Sequence, residues 1–282
     1  MHTTSADGTR IGFDRGGDGP AVILIDGALC RRGIGPNTRL AARLREQFTV
    51  IAYDRRGRGE STDSPPYAVE REIDDLAALI DAAGGSAHLY GISSGGALAL
   101  DAAALLGERV NRVAVFELPL RADTLGPHVP DDFDEMLDGL LTADRRGQAV
   151  KLFMRQAVRL PGPLVAAMPL FPGWSKNKDL VHTLRYDLAV LRGDEPPTTR
   201  WGAVSAPTLV MSGGKSPAWI RDATVRLTEV LPNARHRVLD GERHYVKADA
   251  MARVLGEFLT ADSLPASRWP ARSATSTRLA AA

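Results

Sequence analysis

Residues 87–100 read Ala-His-Leu-Tyr-Gly-Ile-Ser-Ser-Gly-Gly-Ala-Leu-Ala-Leu. An apolar strand-like run ends at Gly91, and an Ala/Leu-rich helical run opens after Gly95. Between them Gly91-Ile92-Ser93-Ser94-Gly95 spells G-x-S-x-G in a strand–turn–helix setting, which makes Ser93 the candidate nucleophile. Such a turn holds the Ser93 hydroxyl out at the carboxyl edge of a sheet. A side chain at Gly91 or Gly95 would collide with the neighbouring strand or helix. The N–H of Ser94 points into the same space at a helix N-terminus, where partial positive charge favours an oxyanion. The plainer reading is a tight turn with a capping serine.

Working outward, short continuous apolar runs recur at 21–25 (AVILI), 48–52 (FTVIA), 87–90 (AHLY), 112–116 (RVAVF) and 208–211 (TLVM). Runs of this kind fit strands buried on both faces, as in a parallel sheet. Helical patterns separate them. In 69–83, Val69, Ile73, Leu76, Leu79 and Ile80 share one stripe, and 94–106 and 248–260 read the same way. The alternation predicts an α/β fold with a wound, mostly parallel sheet. It breaks between about residues 121 and 200, where helical pieces are punctuated by Pro161, Pro163, Pro169, Pro172, Pro196 and Pro197. The expected organisation is a core of residues 1–120 and 201–260, a helical cap over 121–200, and a disordered tail over 261–282.

Composition narrows the function classes. The chain has 282 residues, enough for one large domain, with 35 basic and 34 acidic side chains. A net charge of +1 leaves no electrostatic footprint for nucleic acid. The basic residues are 30 Arg against 5 Lys, which with the many Ala fits a GC-rich bacterial genome. One cysteine, Cys30, excludes a disulfide framework and a CxxC zinc site. The first twenty residues lack the apolar core of a signal peptide, and the longest apolar run nearby falls far short of the ~20 residues of a membrane span. The expectation is a cytoplasmic protein without membrane or nucleic-acid partners. No G-x-G-x-x-G follows a strand, and there is no P-loop and no H-E-x-x-H, so neither cofactor nor metal is expected. No sequence pattern speaks to the oligomeric state.

Over about residues 8–260 the chain resembles the α/β-hydrolase superfamily. Besides the turn at Ser93, Tyr53-Asp-Arg-Arg-Gly-Arg-Gly-Glu-Ser61 is similar to the family's D-x-R-G-x-G-x-S turn, and Ala206-Pro-Thr-Leu-Val-Met-Ser-Gly213 looks like the strand resumed after the cap. The resemblance implies an eight-stranded, mostly parallel sheet, a cap after the sixth strand, and a Ser–acid–His triad.

A serine hydroxyl needs a base to take its proton. Of six histidines, His2 is read as tail, His88 and His236 as strand, and His128 and His182 as insertion. His244 alone falls in a loop between the last strand (ARHRVL) and the last helix, where the superfamily's catalytic histidine sits. The acid departs from the common pattern. After the strand that follows the cap, the loop reads Gly213-Gly-Lys215-Ser216-Pro217, with no carboxylate. A second arrangement in the superfamily takes the acid from the strand before the cap, which here points to Glu117 in Val115-Phe-Glu-Leu-Pro119. Asp222 is the second candidate. The oxyanion loop departs too, with Asp26-Gly27-Ala28 where the family has His-Gly. Ala28 N–H is the expected partner of Ser94 N–H, and Asp26 is read as pairing with Arg31, Arg32 or Lys215 or as pointing away. Cys30 is read as a small buried apolar residue.

The expected activity is hydrolysis of a carboxylic ester, thioester or lactone through an acyl-enzyme on Ser93. Phe153, Met168, Phe171 and Trp174 in the cap are the expected contacts to a small, apolar or aromatic substrate. Two readings stand beside it: a lyase or cyclase of natural-product assembly on the same scaffold, favoured by Lys215 and Asp26, and a non-catalytic small-molecule binder.

Overall fold

The computed structural model describes residues 1–120, 129–192 and 197–261. Eight strands form one sheet: β1 (His2–Thr4), β2 (Arg10–Gly16), β3 (Ala21–Ile25), β4 (Thr49–Tyr53), β5 (Ala87–Ile92), β6 (Val110–Phe116), β7 (Thr208–Gly213) and β8 (Ala234–Leu239). Their spatial order is β1-β2-β4-β3-β5-β6-β7-β8. The first two pairings, β1 with β2 and β2 with β4, are antiparallel, and all the others are parallel.

The continuous apolar runs are explained by burial on both faces. Along β3, Ile23 and Ile25 enter one apolar cluster while Val22 and Leu24 enter the other. The first cluster receives the stripe of α2 (Val69–Ala83) and the Ala-rich face of α3 (Ser94–Leu106), with Ala223 and Leu227 of α10 (Ala218–Val230). The second receives α1 (Asn37–Leu44) and α11 (Ala248–Leu259). Each fully buried aliphatic side chain contributes roughly 1.5–3 kcal/mol, so this layering dominates the stability of the core.

Between β6 and β7 run α4 (Phe133–Thr142), α5 (Arg146–Gln156), α6 (Gly162–Ala167), α7 (Trp174–Leu180), α8 (Leu184–Arg192) and α9 (Pro197–Trp201). These helices build a third apolar cluster around Phe133, Leu137, Val150 and Leu184, and it reaches Leu29 in the loop after β3. His128 and all but the first residue of the expected tail over 261–282 lie outside the described residues.

One reading needs correction. His2 is not in a tail; it opens β1, paired with Gly12 of β2. None of β1 is buried, and the buried stretch of β2 at 11–13 is short, contains Gly12 and is flanked by exposed polar residues, so neither strand gives a continuous apolar run. No described helix is long and apolar enough to cross a membrane.

Candidate active site

Ser93 sits between β5 and α3 with φ 55° and ψ −127°. Its N–H donates to Phe116 O at 3.0 Å, and its carbonyl accepts from Gly96 N–H at 2.9 Å. The flanking glycines are required by contact. A Cβ on Gly91 would lie 2.2 Å from Gly95 O, and one on Gly95 would lie 2.4 Å from Ile25 O. Two more non-glycine residues with positive φ occur at the neighbouring strand ends: Leu29 (57°) after β3 and Glu117 (49°) after β6. Conformations like these cost on the order of 1–3 kcal/mol each and gather where a fold holds groups for a task.

Glu117 is 1% exposed, and its N–H donates to Met211 O at 2.9 Å. Carboxylate Oε1 accepts from Gly213 N–H at 2.8 Å and from the Ser216 hydroxyl, while Oε2 meets His244 Nδ1 at 2.8 Å. Burial alone would raise this carboxyl, but the hydrogen bonds from His244, Ser216 and Gly213 outweigh it and hold Glu117 below the usual glutamate range. An ionised carboxylate only accepts, so Nδ1 carries the hydrogen, and the neutral ring has its lone pair on Nε2. The loop bearing His244 is stitched to the loop after β7 by Gly214 N–H to Leu239 O (2.8 Å) and Lys215 N–H to Glu242 O (2.9 Å). Within that loop Glu242 Oε2 accepts from Lys247 N–H at 3.0 Å.

The structure thus brings Glu117 and His244 into contact. Among the described residues Ser93 Oγ makes no hydrogen bond to His244, whose side chain is 46% exposed. Asp222 is exposed on α10, and Lys215 is exposed as well. On the other side of Ser93 lies the loop after β3: a Cβ on Gly27 would stand 3.0 Å from Ser93 Cβ. Ala28 follows, half-buried against the apolar cluster of the helical insertion.

Asp26 is buried, and a Cβ on Gly35 would stand 3.3 Å from its Oδ1, an oxygen with no hydrogen-bond partner among the described residues. Burial pushes its carboxyl up to about 7, against the pull of Arg58 and Arg55. Arg32, one of its expected partners, is engaged instead with Asp14, Asp54 and Glu60 at 2.7, 3.0 and 2.6 Å. Burial, reinforced by the Asp26 charge, pushes the Cys30 thiol up to about 12, so it stays protonated and un-nucleophilic at neutral pH. Among the described residues no group of three or more His, Cys, Asp or Glu is arranged to hold a metal.

A model of the alpha/beta hydrolase family matches residues 32–255. The chain belongs to that family. It is 51% identical to an alpha/beta hydrolase from Sphaerobacter thermophilus of known crystal structure, over 92% of this chain and 100% of that one, with a TM-score of 0.86. Two solved structures share the fold at lower identity. A thermophilic esterase from Thermogutta terrifontis is 22% identical over 92% of this chain and 97% of its own, with a TM-score of 0.70. A 2-hydroxy-6-oxo-6-phenylhexa-2,4-dienoate hydrolase from a Rhodococcus strain is also 22% identical, over 93% and 99%, with a TM-score of 0.64.

In this alpha/beta hydrolase the four aromatic and methionine side chains expected at the substrate divide. Phe153, Met168 and Trp174 pack against the insertion's own apolar cluster, with Trp174 lying 3.0 Å from where a Cβ on Gly147 would stand. Phe171 is 50% exposed. Short helices need a core of their own, and these residues supply it. Sequence reasoning missed a buried charge network, Arg55, Arg58, Glu72 and Asp187, directly behind the candidate site. The Arg-rich turn at 54–61 was its visible half; Asp187 sits 129 residues from Arg58 with no local pattern to mark it.

Proposed function

We propose that this alpha/beta hydrolase cleaves a carboxylic ester, thioester or lactone through an acyl-enzyme on Ser93. The observation that carries the reading is the 2.8 Å bond from His244 Nδ1 to a buried, ionised Glu117. It orients the imidazole so that in its neutral form Nε2 is the basic nitrogen, and Ser93 in its strained turn is the hydroxyl it would serve. Ser93 Oγ attacks the carbonyl carbon while Nε2 takes its proton. The N–H groups of Ser94 and Ala28 receive the oxyanion, and collapse expels the alcohol or thiol with the proton returned by His244. Water, deprotonated by the same nitrogen, then releases the acid. The Ser93–His244 hydrogen bond, not made in the free protein, forms when substrate is bound, since catalytic bonds are often long or misaligned until then.

Ala28 adjoins the apolar cluster that includes Phe153, Met154 and Met168. A carbonyl resting on Ala28 N–H therefore has apolar neighbours, which favours a small substrate with an apolar or aromatic group.

The deciding experiment is labelling with a fluorophosphonate probe, with the modified peptide located by mass spectrometry and a p-nitrophenyl ester panel run alongside. The reading expects adduct on Ser93 in the wild type and none in Ser93→Ala or His244→Ala. Folded wild-type protein that neither labels nor turns over any ester would overturn it.

A further inference from the structure

One carboxylate ties together both walls of the candidate oxyanion site. Asp187 of α8 is 1% exposed. Its Oδ1 accepts from Ser94 Oγ at 2.7 Å and from Arg55 Nη1 at 2.6 Å, and its Oδ2 accepts from Arg58 Nη2 at 2.7 Å. The other terminal nitrogen of Arg58, Nη1, donates to Gly27 O at 2.7 Å and to Cys30 O at 3.2 Å. Arg55 is held from its far side by both oxygens of Glu72, at 2.8 and 2.6 Å.

The Gly27 contact carries the argument. Gly27 C=O and Ala28 N–H belong to one planar trans peptide and point in opposite directions. Anchoring the oxygen therefore fixes the direction of the N–H. A guanidinium on that oxygen also withdraws electron density from the peptide, so the N–H becomes a stronger donor. The second bond, to Cys30 O, pins the loop beyond Leu29, whose positive φ needs such support. The other expected donor belongs to Ser94, whose hydroxyl Asp187 holds directly. Arg55 and Arg58 balance Asp187 and Glu72 in charge, so the cluster brings charge-assisted bonds to the site without a net negative field on an oxyanion.

We propose that Arg58, held in place by Asp187, is a positioning residue that sets the oxyanion donors. It touches no reacting atom and acts through the Gly27–Ala28 peptide. The inference rests on the acyl-transfer reading above, whose donors it organises.

The test compares wild type with Arg58→Lys, Asp187→Asn and the double variant Arg58→Met/Asp187→Leu. The double variant removes both charges together, where a single change leaves a buried charge unpaired. Each is checked for fold by circular dichroism and Tm. The readouts are kcat and KM on a p-nitrophenyl ester, and affinity for a trifluoromethyl ketone and its matched secondary alcohol. The ketone adds Ser93 and places an oxyanion in the site; the alcohol does not. In folded variants kcat falls roughly 10–1000-fold with KM within about threefold, and ketone affinity falls in parallel while alcohol affinity holds. Folded variants with wild-type kcat, parallel loss of ketone and alcohol affinity, or loss of fold in all three would overturn the proposal. Wild-type protein without turnover or Ser93 labelling is seen before any variant is compared, and it removes the hydrolase reading as well.

Discussion

Glu117 Oε2 and His244 Nδ1 meet at 2.8 Å although 127 residues separate them in the chain. The carboxylate comes from just after β6, while β7 next to it supplies the Gly213 N–H, and the loop after β7 the Ser216 hydroxyl, that hold Oε1. Replacing Glu117 by Gln keeps the shape but removes the charge that selects the histidine tautomer. We expect kcat to fall by about 10³–10⁴-fold with the fold retained, and Asp222→Asn to leave it within twofold. Ester kinetics on the two variants, with Tm measured in parallel, check this; a collapse in Asp222→Asn would move the acid to α10.

Ser216→Ala removes one donor from Glu117 and leaves the Gly213 N–H and His244. The loss should cost about 1–3 kcal/mol. Glu117 is held below its ordinary range, so it adds stability above the unfolded glutamate pKa, and that stability disappears as pH falls through the folded value. With one hydrogen bond fewer this contribution shrinks, and the variant should unfold in acid at a higher pH than wild type. Fluorescence-monitored acid titrations give the midpoints, and an unchanged midpoint would contradict the assignment.

Asp26 titrates in the opposite sense. The folded chain keeps the Asp26 proton up to about pH 7, whereas an unfolded aspartate releases it near 4. Stability therefore falls as pH rises between those values and levels off above 7. Asp26→Asn keeps the shape of the buried group but never ionises. Its Tm advantage over wild type should widen from pH 4 to 7 and stay constant above, reaching several degrees. Differential scanning calorimetry across that range decides, and a constant offset at every pH would refute the burial of an ionisable Asp26.

Two glycine substitutions should separate folding from reactivity. In Gly95→Ala the new methyl meets Ile25 O at 2.4 Å, a backbone atom with no room to yield, and soluble protein should be lost. In Gly27→Ala the methyl would lie 3.0 Å from Ser93 Cβ and 3.6 Å from Ser93 Oγ. That variant should fold and lose at least about tenfold in kcat/KM through a displaced serine. Expression yield and ester kinetics read the pair, and full activity in Gly27→Ala would place the loop elsewhere than against Ser93.

The central sheet was legible because burial on both faces leaves unbroken apolar runs such as Ala21–Ile25, and α2 because its stripe repeats over four turns. The turn at Ser93 was legible because two backbone contacts forbid anything but glycine at 91 and 95. Glu117 was reached by the absence of a carboxylate at Lys215 together with a strand end at Phe116. Strands β1 and β2 gave no such signal, because β1 has no buried residue and the buried stretch of β2 is confined to residues 11–13. Nothing local to Asp26 in the sequence marks its burial, which depends on how the loop after β3 folds back on Cys30 and Gly35. The Arg55–Arg58–Asp187 cluster was invisible for a different reason. Each member looks like an ordinary surface charge in its own segment, and only the folded chain, which leaves all three 1% exposed, shows otherwise.

Asp187 also limits how specificity can be re-engineered in this scaffold. Residues between β6 and β7 look like a detachable module, open to exchange with those of another family member. A graft that omits a carboxylate at this place leaves Arg58 without the one carboxylate it pairs with among the described residues and takes a bond from Arg55, a defect on the order of 3–5 kcal/mol. The transferable unit is therefore the helical segment together with the turn at 54–61, and libraries that vary one should carry the other unchanged.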